Sequence, residues 1–257
     1  MTKLLWHPLV RSLVALTLVV TIWQLVVVVK APSPLALPSP TRVVLAAQQM
    51  LNSGFEGTSL LGHIAASFRR VGLGFALSIA IGVPLGLFMG VSRTVRSAVT
   101  PYFALFRPVP PFAWLAMFVV WFGIGELPKV LIIFVGSVTI IAINTMDGVR
   151  RIPPQFGEAA RTLGASRVQI FQHVLVPAAL PQIISGCRVA LLVAWTAVLA
   201  AELVAARAGI GVIILDSSNY LRTDETFLGI FLIALCGGLT DWAMGRLQKA
   251  VEPWGNK

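Results

Sequence analysis

Long uncharged runs alternate with short polar stretches along the chain, and the runs have the length of helices rather than strands. About 20 mainly apolar residues are needed for a helix to cross roughly 30 Å of hydrocarbon. Residues 12–29 form the first such run. Its apolar part is too long for the core of a cleaved leader and no Ala-x-Ala site follows, so a retained span is expected. A second span is predicted from Ile64 or Val71 to Val91, with Gly82, Gly86 and Gly90 at a spacing that lets another helix approach closely. A third opens at Pro108-Val109-Pro110-Pro111 and ends at Phe122, and residues 123–128 read as a tight Gly-rich turn. A fourth covers residues 130–147, a fifth climbs from Pro181 to about Ala206, and a sixth runs from Phe227 to about Leu247.

The polar connections carry their own patterns. Residues 30–56 hold Pro32, Pro34, Pro38 and Pro40, which enforce extended backbone, and then a surface helix whose apolar face is Val43, Val44, Ala47 and Leu51. Residues 207–226, with Gly209 and Gly211, read as an external segment. Between the fourth and fifth spans, Pro153 and Pro154 end one helix and open a short one over residues 155–163. Gly164 suits a left-handed residue closing that helix, and Ser166 suits the cap of a second helix through His173. Ala159 and Ala160 would let a foreign backbone come close, which a docking knob requires and a solvated loop does not.

Composition changes the picture in one direction. With 57% hydrophobic and 12% charged residues and a mean hydropathy of +0.86, the chain is an integral membrane protein and not a soluble globule. The formal charge of +10 does not point to nucleic acid, because Lys and Arg are scattered between apolar runs. Twelve of the twenty cations, Arg93, Arg96 and Arg107 among them, fall in segments that the predicted topology puts in the cytoplasm, and five fall outside. That bias places both termini and the double helix of residues 153–177 in the cytoplasm. Cys187 and Cys236 read as buried thiols. His7, His63 and His173 have no metal-ligand spacing, no nucleophile has a neighbouring base, and Gly-x-x-x-x-Gly-Lys-Ser/Thr is absent from the chain. Trp6, Trp23, Trp114, Trp121, Trp195, Trp242 and Trp254 lie mostly near span ends, as an aromatic belt would.

Glu158-Ala159-Ala160, three residues, Gly164, nine residues, Val174, one residue, Val176 and Pro177 resembles the EAA loop of ABC importer permeases, with Val in place of the usual Ile and Leu. Residues 106–115, 121–126, 163–166 and 200–203, with Gly209-Ile210-Gly211 and Thr223-Asp224, resemble the taurine, alkanesulfonate, nitrate and bicarbonate branch, the taurine permeases above all. The resemblance covers roughly residues 60–254. It implies an all-α membrane protein of about six transmembrane helices with a cytoplasmic coupling hairpin, similar to type I importer permeases. Residues 1–59 would then be an added helix and external segment, and residues 60–257 a five-helix permease core.

The same resemblance implies a non-catalytic subunit in a bacterial inner membrane. Its partners would be lipid, two ATPase subunits that hold ATP and Mg, a second permease that is a copy of itself, and an external substrate-binding protein; no cofactor would sit in this chain, and no nucleic acid is expected. The cargo would be a small anion, taurine or another sulfonate first, with nitrate, bicarbonate, an aromatic acid or a vitamin precursor as runners-up. A passive channel or scaffold is the alternative of a different class. Coupling to the ATPase would fall to Glu158, Ala159, Ala160, Arg161, Leu163, Gly164, Ala165, Val176 and Pro177. Charge inside a membrane is costly, so Glu202 and Arg188, with Trp195, are candidates for a gate or path. The alternatives are an interfacial Glu202 paired with Arg207 and a snorkelling Arg188. Arg69 and Arg70 could attract an anion, hold the receptor's acidic rim, or snorkel.

Overall fold

The computed structural model describes residues 8–30, 33, 36–204 and 206–251. Lys3, Trp6, His7, Pro32, Pro34, Trp254 and Lys257, and with them the expected placement of both termini, lie outside the described residues. Among the described residues the chain is helical apart from turns and one isolated bridge between Phe55 and Thr58. In chain order the helices are α1 (Pro8–Lys30), α2 (Pro40–Ser53), α3 (Leu60–Val91), α4 (Arg93–Phe106), α5 (Ala113–Phe122), α6 (Glu126–Arg150), α7 (Pro154–Thr162) and α8 (Arg167–Ile170). A π-turn (Phe171–Leu175) leads into α9 (Val176–Glu202), followed by α10 (Ile210–Asn219) and α11 (Thr223–Val251).

Helix α6 is the centre of the bundle, with α3 on one side and α9 on the other. Its contact with α3 is close because α3 turns a stripe of small residues toward it, one every four positions: Gly74, Ser78, Gly82, Gly86 and Gly90. A Cβ on Gly74 would stand 2.7 Å from the Ile133 side chain, and one on Gly90 would stand 2.6 Å from that of Val149. Small residues at this spacing are how membrane helices gain packing where lipid supplies no hydrophobic drive. On the other face, Gly186 of α9 admits Asn144, and the Ser137 hydroxyl donates to the Ala190 carbonyl at 3.2 Å. The core between these helices includes Ile132, Ile133, Ile141, Ala190, Ala194 and Val198, all essentially inaccessible.

Among the described residues four helical stretches are long and apolar enough to cross a membrane: Leu60–Val91, Glu126–Arg150, Arg167–Glu202 and Thr223–Val251. They contain the second, fourth and sixth predicted spans and most of the fifth, which ends at Glu202, short of Ala206. The fifth starts earlier than expected, because the helix runs from Arg167 through the π-turn and past Pro177 and Pro181. At the π-turn the Val176 N–H bonds to Phe171 O, five residues back, a wider turn that accommodates the missing Pro177 donor next to it. The third predicted span is not one helix. Arg93–Phe106, expected as a loop, is an amphipathic helix, and residues 107–112 separate it from α5, which at ten residues is about 15 Å long.

Two surface expectations also change. The buried face of α2 is Val43, Ala46 and Met50, while Val44 and Leu51 are exposed. Overlapping apolar stripes on a short helix are resolved by what it packs on, and α2 packs on Phe55, Leu60, Ile213 and Leu228. The segment after α9, expected on the external side with no helix assigned, contains α10, which folds back with Ile210 and Ile213 fully buried. Helix α1 is mostly exposed and leans on the rest through Trp23, which donates to Pro38 O at 3.1 Å and stacks on Phe227 and Phe231.

Candidate functional site

The connection between α6 and α9 is built by local rules. Pro153 and Pro154 start α7. At its end Gly164 adopts φ +84°, and paired bonds from Gly164 N–H to Arg161 O (2.9 Å) and from Ala165 N–H to Ala160 O (3.0 Å) close it in a Schellman turn. Two residues later Ser166 and Gln169 form a reciprocal capping box that opens α8. The result is a rigid elbow with an outer face that this chain leaves uncovered. Among the described residues α7 has no buried residue, and Leu163, Phe156 and Val168 are 88%, 59% and 63% exposed. Glu158, Ala159, Arg161 and Gly164 are exposed as well, and Ala160 and Ala165 are half-buried. Ile170 anchors the elbow from below, 7% exposed; Val176 and Pro177 sit where α9 begins. Apolar side chains of this size on a polar hairpin mark a contact surface.

At the other end of the bundle, three helices share a buried charge cluster. Arg70 of α3 gives Nε and one terminal nitrogen to the two oxygens of Glu126, both at 2.7 Å, and its other nitrogen to Glu202 Oε1 at 2.7 Å and Ala208 O at 2.6 Å. Lys129 adds a bond to Glu126 at 3.2 Å, so two buried cations meet two carboxylates. Glu202 is 1% exposed, and its carboxylate also accepts from the Ser67 hydroxyl and from Gly211 N–H (2.9 Å) at the start of α10. A helix N-terminus offers unpaired N–H groups to an anion, which is why a carboxylate settles there. Gly209, at φ +146°, lies so close to that carboxylate that no side chain fits. His63 completes the set: its Nδ1 lies 3.0 Å from Gly209 O and 3.1 Å from Gly209 N, and its Nε2 faces Phe55 O at 3.1 Å.

These contacts relocate several expected residues. The partner of Glu202 is Arg70, not Arg207. Arg69 is largely exposed, with one contact to Glu126 at 3.3 Å, whereas Arg70 has every nitrogen engaged. Arg188 makes a two-pronged pair with Asp241 (3.0 and 2.9 Å) and bonds Gln248, joining α9 to α11. Trp195 is a core residue, 3% exposed, with its indole N–H on Thr240 at 2.9 Å and its ring edge-on to Phe68. Sequence reasoning passed over Ser67, His63 and Glu126. Their signal was there in part, since His63, Ser67 and Arg70 stand at i, i+4 and i+7 on one face of α3.

Comparison with known proteins bears on the whole chain. The family profile "Binding-protein-dependent transport system inner membrane component" matches residues 82–253. The taurine transport system permease protein TauC of Escherichia coli (strain K12) is 37% identical over 98% of this chain and 94% of its own. The putative aliphatic sulfonates transport permease protein SsuC of Bacillus subtilis (strain 168) is 32% identical over 96% and 88%. The nitrate import permease protein NrtB of Leptolyngbya laminosa is 32% identical over 95% and 88%. In fold, the chain is similar to a subunit of the MetNI methionine ABC transporter in an inward-facing conformation, at TM-score 0.67 and 22% identity over 75% of this chain and 95% of that one. The fold is that of type I ABC importer permeases, and a passive channel or scaffold is set aside. This chain belongs to the binding-protein-dependent transport system inner membrane components, as a multi-pass, non-catalytic permease subunit of an ABC importer whose ATPase is a separate chain.

Proposed function

We propose that this subunit forms the path by which a small anion, a sulfonate such as taurine first, is carried inward after delivery by an external binding protein. The observation that carries the reading is the uncovered elbow of α7 and α8: a stiff, doubly capped hairpin that presents Leu163, Phe156 and Val168 to solvent. A surface of that kind serves to be gripped. Glu158, Ala159, Ala160, Arg161, Leu163, Gly164 and Ala165 would sit in a cleft of the ATPase, and the bond network at Gly164 would transmit its motion to α6 and α9 without bending. Val176 and Pro177, at the π-turn, would be where that motion enters the membrane. The hairpin end then faces the cytoplasm, and the Arg70, Glu126 and Glu202 cluster faces outward.

In this reading two ATPase subunits hold ATP and Mg, and two copies of this chain flank the path. Support for a cargo with an anionic head comes from the substrates for which the relatives are named, taurine, aliphatic sulfonates and nitrate. The assembly is tested by isolating the tagged chain from its native membrane in mild detergent and counting its partners by mass spectrometry. Two copies with two ATPases are expected; a single copy, or a chain without an ATPase even after crosslinking, overturns the assembly.

A further inference from the structure

The break between α4 and α5 has a place and a neighbour. Arg107-Pro108-Val109-Pro110-Pro111 cannot continue a helix, since each Pro lacks a donor and its ring clashes with the preceding turn. Pro111 packs on Gly136, where an added Cβ would stand 3.0 Å from the Pro ring. Gly136 lies near the middle of the 25-residue helix α6, so the break stands at mid-depth of the bundle and not at its hairpin end. Arg107, at the end of α4 and exposed in the single subunit, lines the same wall of α6 as Thr139 and Asn144. Non-helical backbone at that depth is tolerated only where it is buried or lines a cavity.

A cavity of about 460 Å³ is there, within the usual range of roughly 300–1,000 Å³ for small-ligand sites. Arg107 lines it together with Thr139 and Asn144 of α6 and Val189 and Val193 of α9. No Asp or Glu lines it, and Arg107 has no ion-pair partner among the described residues. The contrast with Arg70 and Arg188, each held by carboxylates, is complete. Asn144 gives one amide N–H to Ile140 O at 2.9 Å and accepts from Gln182, which fixes its plane and leaves its second N–H for a ligand. One guanidinium without an ion-pair partner, a hydroxyl and an amide, on walls otherwise of Phe, Val, Ile, Pro and Gly, complement an anionic head on a short apolar stem.

We propose that this cavity is a binding station for small organic anions on the translocation path, with Arg107 as the residue that selects for the negative head. The guanidinium fork matches two oxygens of a sulfonate or carboxylate, Thr139 and Asn144 bond the remaining polar atoms, and Val189 and Val193 hold the stem. This assignment rests on the inward transport of an anion proposed above, and it goes further by naming the residues and the preference for a stem.

The test uses the complete transporter, this chain with its ATPase and receptor, in proteoliposomes supplied with taurine, ethanesulfonate, butanesulfonate or nitrate. Arg107→Gln is expected to slow sulfonate uptake by about tenfold to a hundredfold, as for the loss of a charged hydrogen bond, in proteoliposomes holding the same amount of assembled transporter. Arg107→Lys is expected to give an intermediate rate. Val193→Phe, which fills the stem wall, is expected to reduce butanesulfonate uptake more than nitrate uptake. Wild-type anion uptake with Arg107→Gln and Val193→Phe both unaffected would overturn the site alone. So would an Arg107→Gln protein that loses bound anionic phospholipid but transports normally, since the guanidinium would then belong to a lipid headgroup. Wild-type uptake of an uncharged solute in place of all four probes would overturn the anion reading itself.

Discussion

Single residues decide the two ends of the molecule by opposite means. At the cluster end, Arg70 and Glu202 are almost sealed from solvent and bond each other, so removing Glu202 leaves Arg70 with Glu126 and Ala208 O alone and takes the acceptor from Ser67 and Gly211 N–H. Glu202→Ala is expected to destabilise the subunit by about 3–5 kcal/mol, and Ser67→Ala by about 1–3 kcal/mol, because the first removes one arm of a buried ion pair and several hydrogen bonds and the second only a hydroxyl. Thermal unfolding in nanodiscs checks the order; a Glu202→Ala protein as stable as wild type would contradict it. The sequence already marked Glu202 and Arg188 as anomalous, since charge in an apolar run needs a reason. What it could not supply was the partner. Glu202 lies 132 residues from Arg70 and Arg188 lies 53 from Asp241, and such pairings follow from helix packing, not from local pattern.

At the scale of the element, the small-residue stripe of α3 sets how near α6 can come. Gly86→Leu would drive a side chain into Thr145 and the backbone of Ala142, an overpacking expected to cost about 1–3 kcal/mol or more. Gly72, on the same helix with open space around it, is the control: Gly72→Ala is expected to stabilise by about 0.5–1 kcal/mol through helix propensity. Equal effects on unfolding at the two positions would remove the packing argument. This stripe was legible, because its four-residue period is local. So was the elbow at Gly164 and Ser166, where capping chemistry acts within six residues. The broken third span was read as one helix because Trp114 to Phe122 is strongly apolar and periodicity says nothing about where a Pro-rich start sits in depth. The face of α2 and the folding back of α10 were missed for a related reason, since both depend on which neighbour the helix meets.

For the whole molecule, the account joins three parts along one bundle. A hairpin with an uncovered apolar face lies at one end, a cavity lined by Arg107 lies at mid-depth, and an ion cluster locks α3, α6 and α9 at the other end. The helices α6 and α9 touch all three, so a push on the hairpin would be transmitted as a tilt of these two helices and not as local bending. Family and class were legible from the hairpin and the Pro-rich start of the third span. The cavity was not, because it is assembled from segments up to 87 residues apart, Phe106 to Val193. The most direct measurement is ATP-driven taurine uptake by the complete transporter carrying Gly164→Asp. Gly164 holds φ +84°, so a side chain there strains the elbow and adds charge to the face proposed to meet the ATPase. The account predicts a subunit still present in the membrane at wild-type abundance, with uptake lost and ATP hydrolysis no longer tied to the loaded receptor. Normal receptor-dependent uptake by that variant would contradict it.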